Sequence, residues 1–377
     1  PASTCAMPAP SRPAAALLGT LVAACWAAAA PPGPACPGNT TVGDVVAAFN
    51  LSGQVAVVTG GDSGLGFSVA RALASRGATV VIGAHNLSKG QAAAWRLLAE
   101  GGNVSALPLD LGSLSSVRRF AEAQAALSGP RLHYLVNNAG ITGPSVLSGD
   151  GYEQVFEVDY LGHFLLTELL LPALRQGAPS RVVNVASGAH ENACEVAGWP
   201  EGCFKDWTYL PPPVVPSRNV TMHSKVGPVV TSSSYGVGKF LQIQHAAEIT
   251  AREKAAGVTA FSMTPGFAST GMTGKMNASD PTASMFCKAQ RHPDPSLPEN
   301  PCPFSADQGA AAIAYCALEA PASLAGRYFS RTWACEERPV VMHGFTPPMR
   351  PELYRRSLEW VGLAERAQER QPDAVLV

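Results

Sequence analysis

Tyr235 and Lys239 stand four residues apart in Tyr235-Gly236-Val237-Gly238-Lys239, at the head of a segment that reads as a strong helix to Ala256. Four residues make about one helical turn, so the phenol and the ammonium share a face. A cation held there stabilises phenolate and draws its pKa down from about 10. A tyrosine able to give and regain a proton is a general acid/base for an alcohol or carbonyl oxygen. A second stretch, Thr59-Gly60-Gly61-Asp62-Ser63-Gly64-Leu65-Gly66, lies between the apolar run Val55 to Val58 and a helical pattern with Leu65, Val69, Ala72 and Leu73 on one face. Its glycines permit a tight turn and close approach to a ligand. The free N–H groups and dipole of the following helix favour an anion, a pyrophosphate being the expected occupant. The spacing is G-x-x-x-G-x-G rather than the commoner G-x-G-x-x-G.

These groups need a frame that places them at one edge, and the chain supplies alternating strands and helices. After the glycine-rich turn, Ala78 to Ala84 reads as a strand and Ser88 to Glu100 as a helix. Val104 to Leu109 is the next strand, Ser113 to Leu127 a helix, and Leu132 to Val136 a fourth strand. Tyr152 to Leu171 reads as one long apolar helix, buried or at a subunit interface, with Pro172 near its end. Val182 to Val185, Val258 to Met263 and Gly326 to Phe329 are later strands; Ala306 to Leu318 and Pro351 to Val361 are helices. Such βαβα order predicts an α/β fold, a Rossmann-type doubly wound parallel sheet with helices on both faces. The pattern is a single domain with two long loop insertions. Its 377 residues carry a net charge of −1, which gives no basic field for nucleic acid. The cysteine spacing fits no zinc site, so no metal is expected.

With those elements in place, the chain resembles the short-chain dehydrogenase/reductase family from Leu51 to about Leu363. The motifs that carry the resemblance are the glycine-rich turn, Asn137-Asn138-Ala139-Gly140 after the fourth strand, Ser187 after the fifth, and Tyr235 with Lys239. Pro265-Gly266 with Thr270 follow the sixth strand. The resemblance implies that Tyr235 is the acid/base, that Ser187 hydrogen-bonds the reacting oxygen, and that hydride passes between substrate carbon and a nicotinamide. It further implies that Gly60, Ser63, Gly64, Leu65 and Gly66 hold the pyrophosphate. Asp110 and Leu111 would lie at the adenine edge, Asn137, Ala139 and Gly140 beside the adenosine ribose, Lys239 on the nicotinamide ribose, and Pro265, Gly266 and Thr270 near the carboxamide. The family's fourth catalytic position is usually Asn in V-N-x-L-G-H-F; this chain reads Val158-Asp159-Tyr160-Leu161-Gly162-His163-Phe164, so Asp159 adds a charge there.

Cofactor choice turns on Gly83-Ala84-His85-Asn86, where an acid would accept from a ribose 2′-OH. No acid stands there, and the related retinol-dehydrogenase-like branch places Arg where His85 stands. NADP(H) is expected ahead of NAD(H). Asp150-Gly151-Tyr152-Glu153 and Gly326-Arg327-Tyr328-Phe329 resemble the retinol-dehydrogenase-like and protochlorophyllide-reductase-like branch, which implies a small lipophilic substrate: a retinoid-, steroid- or lipid-like alcohol/carbonyl pair. The alternatives are reduction of a C=C bond in a pigment-like substrate, or a catalytically weak dinucleotide-binding protein.

Residues 1–30 contain Ser11-Arg12 and the apolar run Ala14 to Ala30, the layout of a cleaved signal or of an anchor giving membrane association. Residues 31–50 read as a linker and short helix, 51–363 as the catalytic domain, and 364–377 as a tail. The insertions are placed at 191–230, an aromatic lid with Trp199, Phe204, Trp207 and Tyr209, and at 275–304. Asn-x-Ser/Thr triplets begin at Asn39, Asn50, Asn86, Asn103, Asn219 and Asn277. Cys194 with Cys203 and Cys287 with Cys302 suit local disulfides, and Cys316 a buried thiol. These features point to a secretory-route compartment, with the cytosol as the alternative. The family resemblance implies a dimer or a tetramer, a homodimer being the assembly expected here.

Overall fold

The computed structural model describes residues 36–194, 219–224, 227–232, 234–271 and 302–365. The signal-like segment, the four aromatic residues assigned to the lid, Asn277, Cys203, Cys287 and the tail beyond residue 365 lie outside the described residues.

Short apolar runs become strands, fully buried at the centre of the sheet in β-branched Val55–Thr59 and in Val258–Thr264 and half-exposed at its Asn103–Pro108 edge. In chain order these are β1 (Val55–Thr59), β2 (Thr79–Ala84), β3 (Asn103–Pro108), β4 (Tyr134–Asn137) and β5 (Ser180–Val185). A hairpin of β6 (Asn219–Ser224) and β7 (Gly227–Ser232) follows, then β8 (Val258–Thr264), β9 (Tyr328–Ser330) and β10 (Glu336–Glu337). The main sheet has eight strands in the order β10-β9-β8-β5-β4-β1-β2-β3. All neighbours are parallel except the antiparallel edge strand β10. Val57 pairs with Val81 on one side and Leu135 on the other, so β1 is central and the strand order reverses between β1 and β4. Open α/β sheets hold ligands at such a reversal.

Alternation along β1 splits the core into two layers. Val55 and Val57 pack with Phe156, Phe164 and Leu241, whereas Ala56 and Val58 pack with Val69, Leu73 and Ile313. On the first face lie α4 (Leu114–Ser128), α6 (Gly162–Gln176), α7 (Ser234–Glu253) and α9 (Arg350–Trp360). The other face carries α1 (Val42–Val46), α2 (Gly64–Ser75), α3 (Leu87–Ala99) and α8 (Ala306–Ala314). Among the described residues no helix is long and apolar enough to cross a membrane, and no cluster of three or more His, Cys, Asp or Glu could hold a metal ion.

The structure departs from the sequence reading in three places. The single helix expected from Tyr152 to Leu171 is instead α5 (Gln154–Phe156), a π-helical turn over Glu157–Leu161, and α6, which runs through Pro172. Gly162 closes the turn by donating its N–H to the Glu157 carbonyl. Only glycine fits there, because a Cβ would sit 2.3 Å from the Leu111 carbonyl oxygen. Part of the insertion read as loop is the β6–β7 hairpin, whose pattern is masked by the polar and proline residues within it. Finally, Cys36 and Cys335 form a disulfide spanning 299 residues, a pairing too distant for spacing to reveal. Cys194 and Cys302 are also disulfide-bonded, while Cys316 is a buried free thiol.

Candidate active site

The glycine-rich turn is a shape built by backbone. Gly60 and Gly64 have φ of +63° and +55°, in the region that favours glycine. A Cβ on Gly66 would lie 2.3 Å from the Gly60 carbonyl oxygen and 2.5 Å from Asn138 Nδ2, so the first turn of α2 can lie against the strand end only as glycine. Thr59 locks the arrangement across the strand-order reversal. Its Oγ1 accepts the N–H groups of Asn138 and Ala139, each at 2.9 Å, and its carbonyl accepts from Asn138 Nδ2 at 2.9 Å. Ser63 occupies the N-cap of α2 without making a side-chain cap bond, Leu65 lies against Gly309, and Gly64 faces Thr270. Gly266, at φ +69° behind Pro265, is pressed against Phe304 and Thr332. The cradle fits a pyrophosphate, because Gly60 and Gly64 turn the backbone through positive φ around it and the N-terminus of α2 opens onto it.

Other residues assigned to the dinucleotide are more dispersed in role. Asn137 is buried, with Nδ2 donating to Thr167 Oγ1 at 3.0 Å and Asn184 Oδ1 at 2.9 Å; its side chain ties β4 to α6 and β5. Leu111 is buried against Gly162. Asp110 Oδ1 accepts from the Gly112 N–H at 2.9 Å, and Asp110 Oδ2 stands 3.9 Å from Nε2 of the exposed His85. Asn138 and Thr59, which the sequence reading left without a role, make the cross-links; their position in the quoted motifs was the available signal.

Ser187, Tyr235, Lys239 and Asp159 come together from three elements. Ser187 caps the 3-10 turn Gly188–Asn192 after β5, its Oγ accepting the Ala189 N–H at 3.1 Å, and its side chain hydrogen-bonds that of Tyr235. Tyr235 and Lys239 share one face of α7, with the Lys239 Nζ 5.5 Å from the centre of the phenol ring. That ammonium donates to the Val185 carbonyl at 3.1 Å and Gln242 Oε1 at 3.3 Å, and lies 3.5 Å from Asp159 Oδ2. Asp159 sits in the π-helical turn, wholly buried, and its Oδ1 accepts the Ile141 N–H at 2.8 Å. Gly140 leaves room for the pair, since a Cβ there would be 3.2 Å from both Asp159 Oδ1 and Lys239 Nζ.

Burial dominates the electrostatics. It raises the Tyr235 phenol above its usual value; Lys239 and the Ser187 hydrogen bond pull it down, and the Asp159 charge pushes it up. The expected lowering by Lys239 is present, but desolvation outweighs it. Burial also lifts Asp159 to about 6 against the opposing pull of Lys239 and the Ile141 N–H. His163, one turn after Asp159, is held neutral with a pKa of about 3, chiefly by burial. Its ring lies 2.9 Å from Thr59 Oγ1 and hydrogen-bonds the Asp159 backbone, linking the glycine turn to the acid/base corner.

A glycine cradle at the strand-order reversal and a phenol–ammonium pair beside it define a doubly wound α/β oxidoreductase. The short chain dehydrogenase family model matches residues 54–198. Retinol dehydrogenase 12 of Mus musculus is 34% identical over 292 residues, covering 75% of this chain and 80% of that protein. WW domain-containing oxidoreductase of Gallus gallus is 45% identical over 156 residues, covering 41% of this chain but only 37% of that protein's length. In fold, a blue fluorescent protein from a metagenomic library, solved in complex with NADPH, matches with a TM-score of 0.55 at 22% identity, over 75% of this chain and 97% of that one. The chain belongs to the short-chain dehydrogenase/reductase family.

Proposed function

We propose that the chain is an oxidoreductase that interconverts an alcohol and a carbonyl on a lipophilic substrate, with NADP(H) as the favoured dinucleotide. The observation that carries this reading is the convergence of Ser187, Tyr235 and Lys239 at the carboxyl end of β5. Tyr235 Oη gives a proton to the carbonyl oxygen on reduction and removes it on oxidation. Ser187 Oγ hydrogen-bonds the same oxygen and orients it. Lys239, fixed by the Val185 carbonyl, steadies the phenolate. A bound nicotinamide supplies or accepts the hydride.

Gly60, Gly64 and Gly66 receive the pyrophosphate. His85, exposed just after β2 with Asp110 Oδ2 3.9 Å from its Nε2, stands in place of the acid that would accept from a ribose 2′-OH, which supports NADP(H) over NAD(H). The name of the retinol dehydrogenase relative and the NADPH complex of the structural neighbour support the substrate class and the cofactor respectively.

Purified protein assayed with NADPH and NADH against retinoid, steroid and aliphatic carbonyls, beside Tyr235→Phe, tests the reading. We expect turnover preferring NADPH that falls about 10²–10⁴-fold in the variant while dinucleotide affinity persists. Turnover indifferent to Tyr235, or dinucleotide binding without turnover on any carbonyl, would overturn it.

A further inference from the structure

Residues 36–51 form a strap that joins α1 to the face of α2 and α8. Two devices clamp it. The Cys36–Cys335 disulfide joins it to the loop after β9, and the fully buried Arg331 donates to the carbonyls of Cys36, Gly38 and Thr40 at 2.9, 2.9 and 3.0 Å. Neither device serves the catalytic corner.

The strap presents two Asn-x-Ser/Thr triplets, Asn39-Thr40-Thr41 and Asn50-Leu51-Ser52, with both asparagines exposed. Asn50 Oδ1 accepts the Ser52 N–H at 3.1 Å, an Asx-turn that occupies the carbonyl oxygen and leaves Nδ2 as the outward group. Asn39 Oδ1 likewise accepts from Gln308 Nε2 at 3.3 Å. Two other triplets differ. Asn103 commits its Nδ2 to Thr79 Oγ1 at 2.9 Å. Asn86 caps α3 next to His85, where a glycan would crowd the dinucleotide.

Sulfur chemistry argues independently for the compartment in which such triplets are modified. Cys36 and Cys335 are joined, and Cys194 and Cys302 are also disulfide-bonded, a pattern that persists in oxidising lumens and not in a reducing cytosol. We infer that this domain matures in an oxidising compartment of the secretory route and carries an N-linked glycan at Asn50, with Asn39 as the second acceptor. In that transfer Asn50 Nδ2 attacks the anomeric carbon of a lipid-pyrophosphate-linked oligosaccharide. The N–C bond forms, the C–O bond to the pyrophosphate breaks, the lipid pyrophosphate departs, and the amide proton passes to the transferase. The inference stands apart from the proposed activity, since none of these residues touches the acid/base corner.

The full-length protein, made from its natural start in animal cells, is digested without reduction and treated with a peptide N-glycanase in heavy-oxygen water, then mapped by mass spectrometry. We expect heavy-oxygen aspartate at position 50, unmodified Asn103, and peptides containing Cys36 and Cys335 joined covalently. An unmodified Asn50, or Cys36 and Cys335 recovered as free thiols, would overturn the inference.

Discussion

The glycine turn and the acid/base corner lie at the same edge of one sheet, yet they are stabilised in opposite ways. The turn is almost free of buried charge: positive-φ glycines, a threonine hydroxyl accepting two N–H groups, and an asparagine amide on a carbonyl fix its shape. The corner buries an ammonium and a carboxylate 3.5 Å apart and surrounds them with a carbonyl, an amide and a backbone N–H. One region therefore responds to volume and the other to charge. His163 touches both and, being neutral, transmits geometry without adding charge.

The largest effect separating the regions is expected for Tyr235→Phe, which removes the proposed proton carrier and leaves the cradle intact. Turnover should fall about 10²–10⁴-fold with dinucleotide affinity within a few-fold of the parent, as measured by steady-state kinetics and titration calorimetry. Gly66→Ala should do the reverse. Its Cβ must displace the Gly60 carbonyl or Asn138, so dinucleotide affinity drops and the fold loses about 1–3 kcal/mol, read from denaturant melts. Replacing both Cys36 and Cys335 with Ser tests a third place, remote from either region. Stability should fall by about 2–4 kcal/mol while kcat/KM of the remaining folded protein is unchanged.

The smallest effect is electrostatic. The folded Asp159 carboxyl keeps its proton up to about 6, whereas the ordinary value is 3.8. The folded state thus binds more protons in that window, and stability falls as pH rises through it. Asp159→Asn removes this fall, so the variant should melt later than the parent above pH 6 and the difference should shrink toward pH 4.

Much of this contrast is legible in the sequence. Val55 to Val58 followed by glycines, and Tyr235 one turn from Lys239, are local patterns whose geometry follows from strand and helix periods alone. What escaped depends on chain segments far apart. Nothing near Gly162 announces that the Leu111 carbonyl will lie against it at the end of a π-helical turn. The Cys36–Cys335 bond closes across 299 residues, and local spacing favoured nearer partners. The family resemblance places Asn137 beside the adenosine ribose; that its Nδ2 also donates to Thr167 and Asn184 depends on where α6 and β5 fall. The Lys239 effect on Tyr235 was right in direction, but its competition with burial could not be weighed without knowing what surrounds the phenol.

The proposed activity requires that Tyr235 move the proton and that the charge of Asp159 shift the pH at which it does so. The direct measurement is kcat/KM for alcohol oxidation against pH in the parent, Asp159→Asn and Tyr235→Phe. Since the Asp159 charge raises the phenol pKa, its removal should move the rising limb toward acid, and Tyr235→Phe should abolish that limb. Superimposable profiles for the parent and Asp159→Asn, or a limb that survives in Tyr235→Phe, would contradict the account.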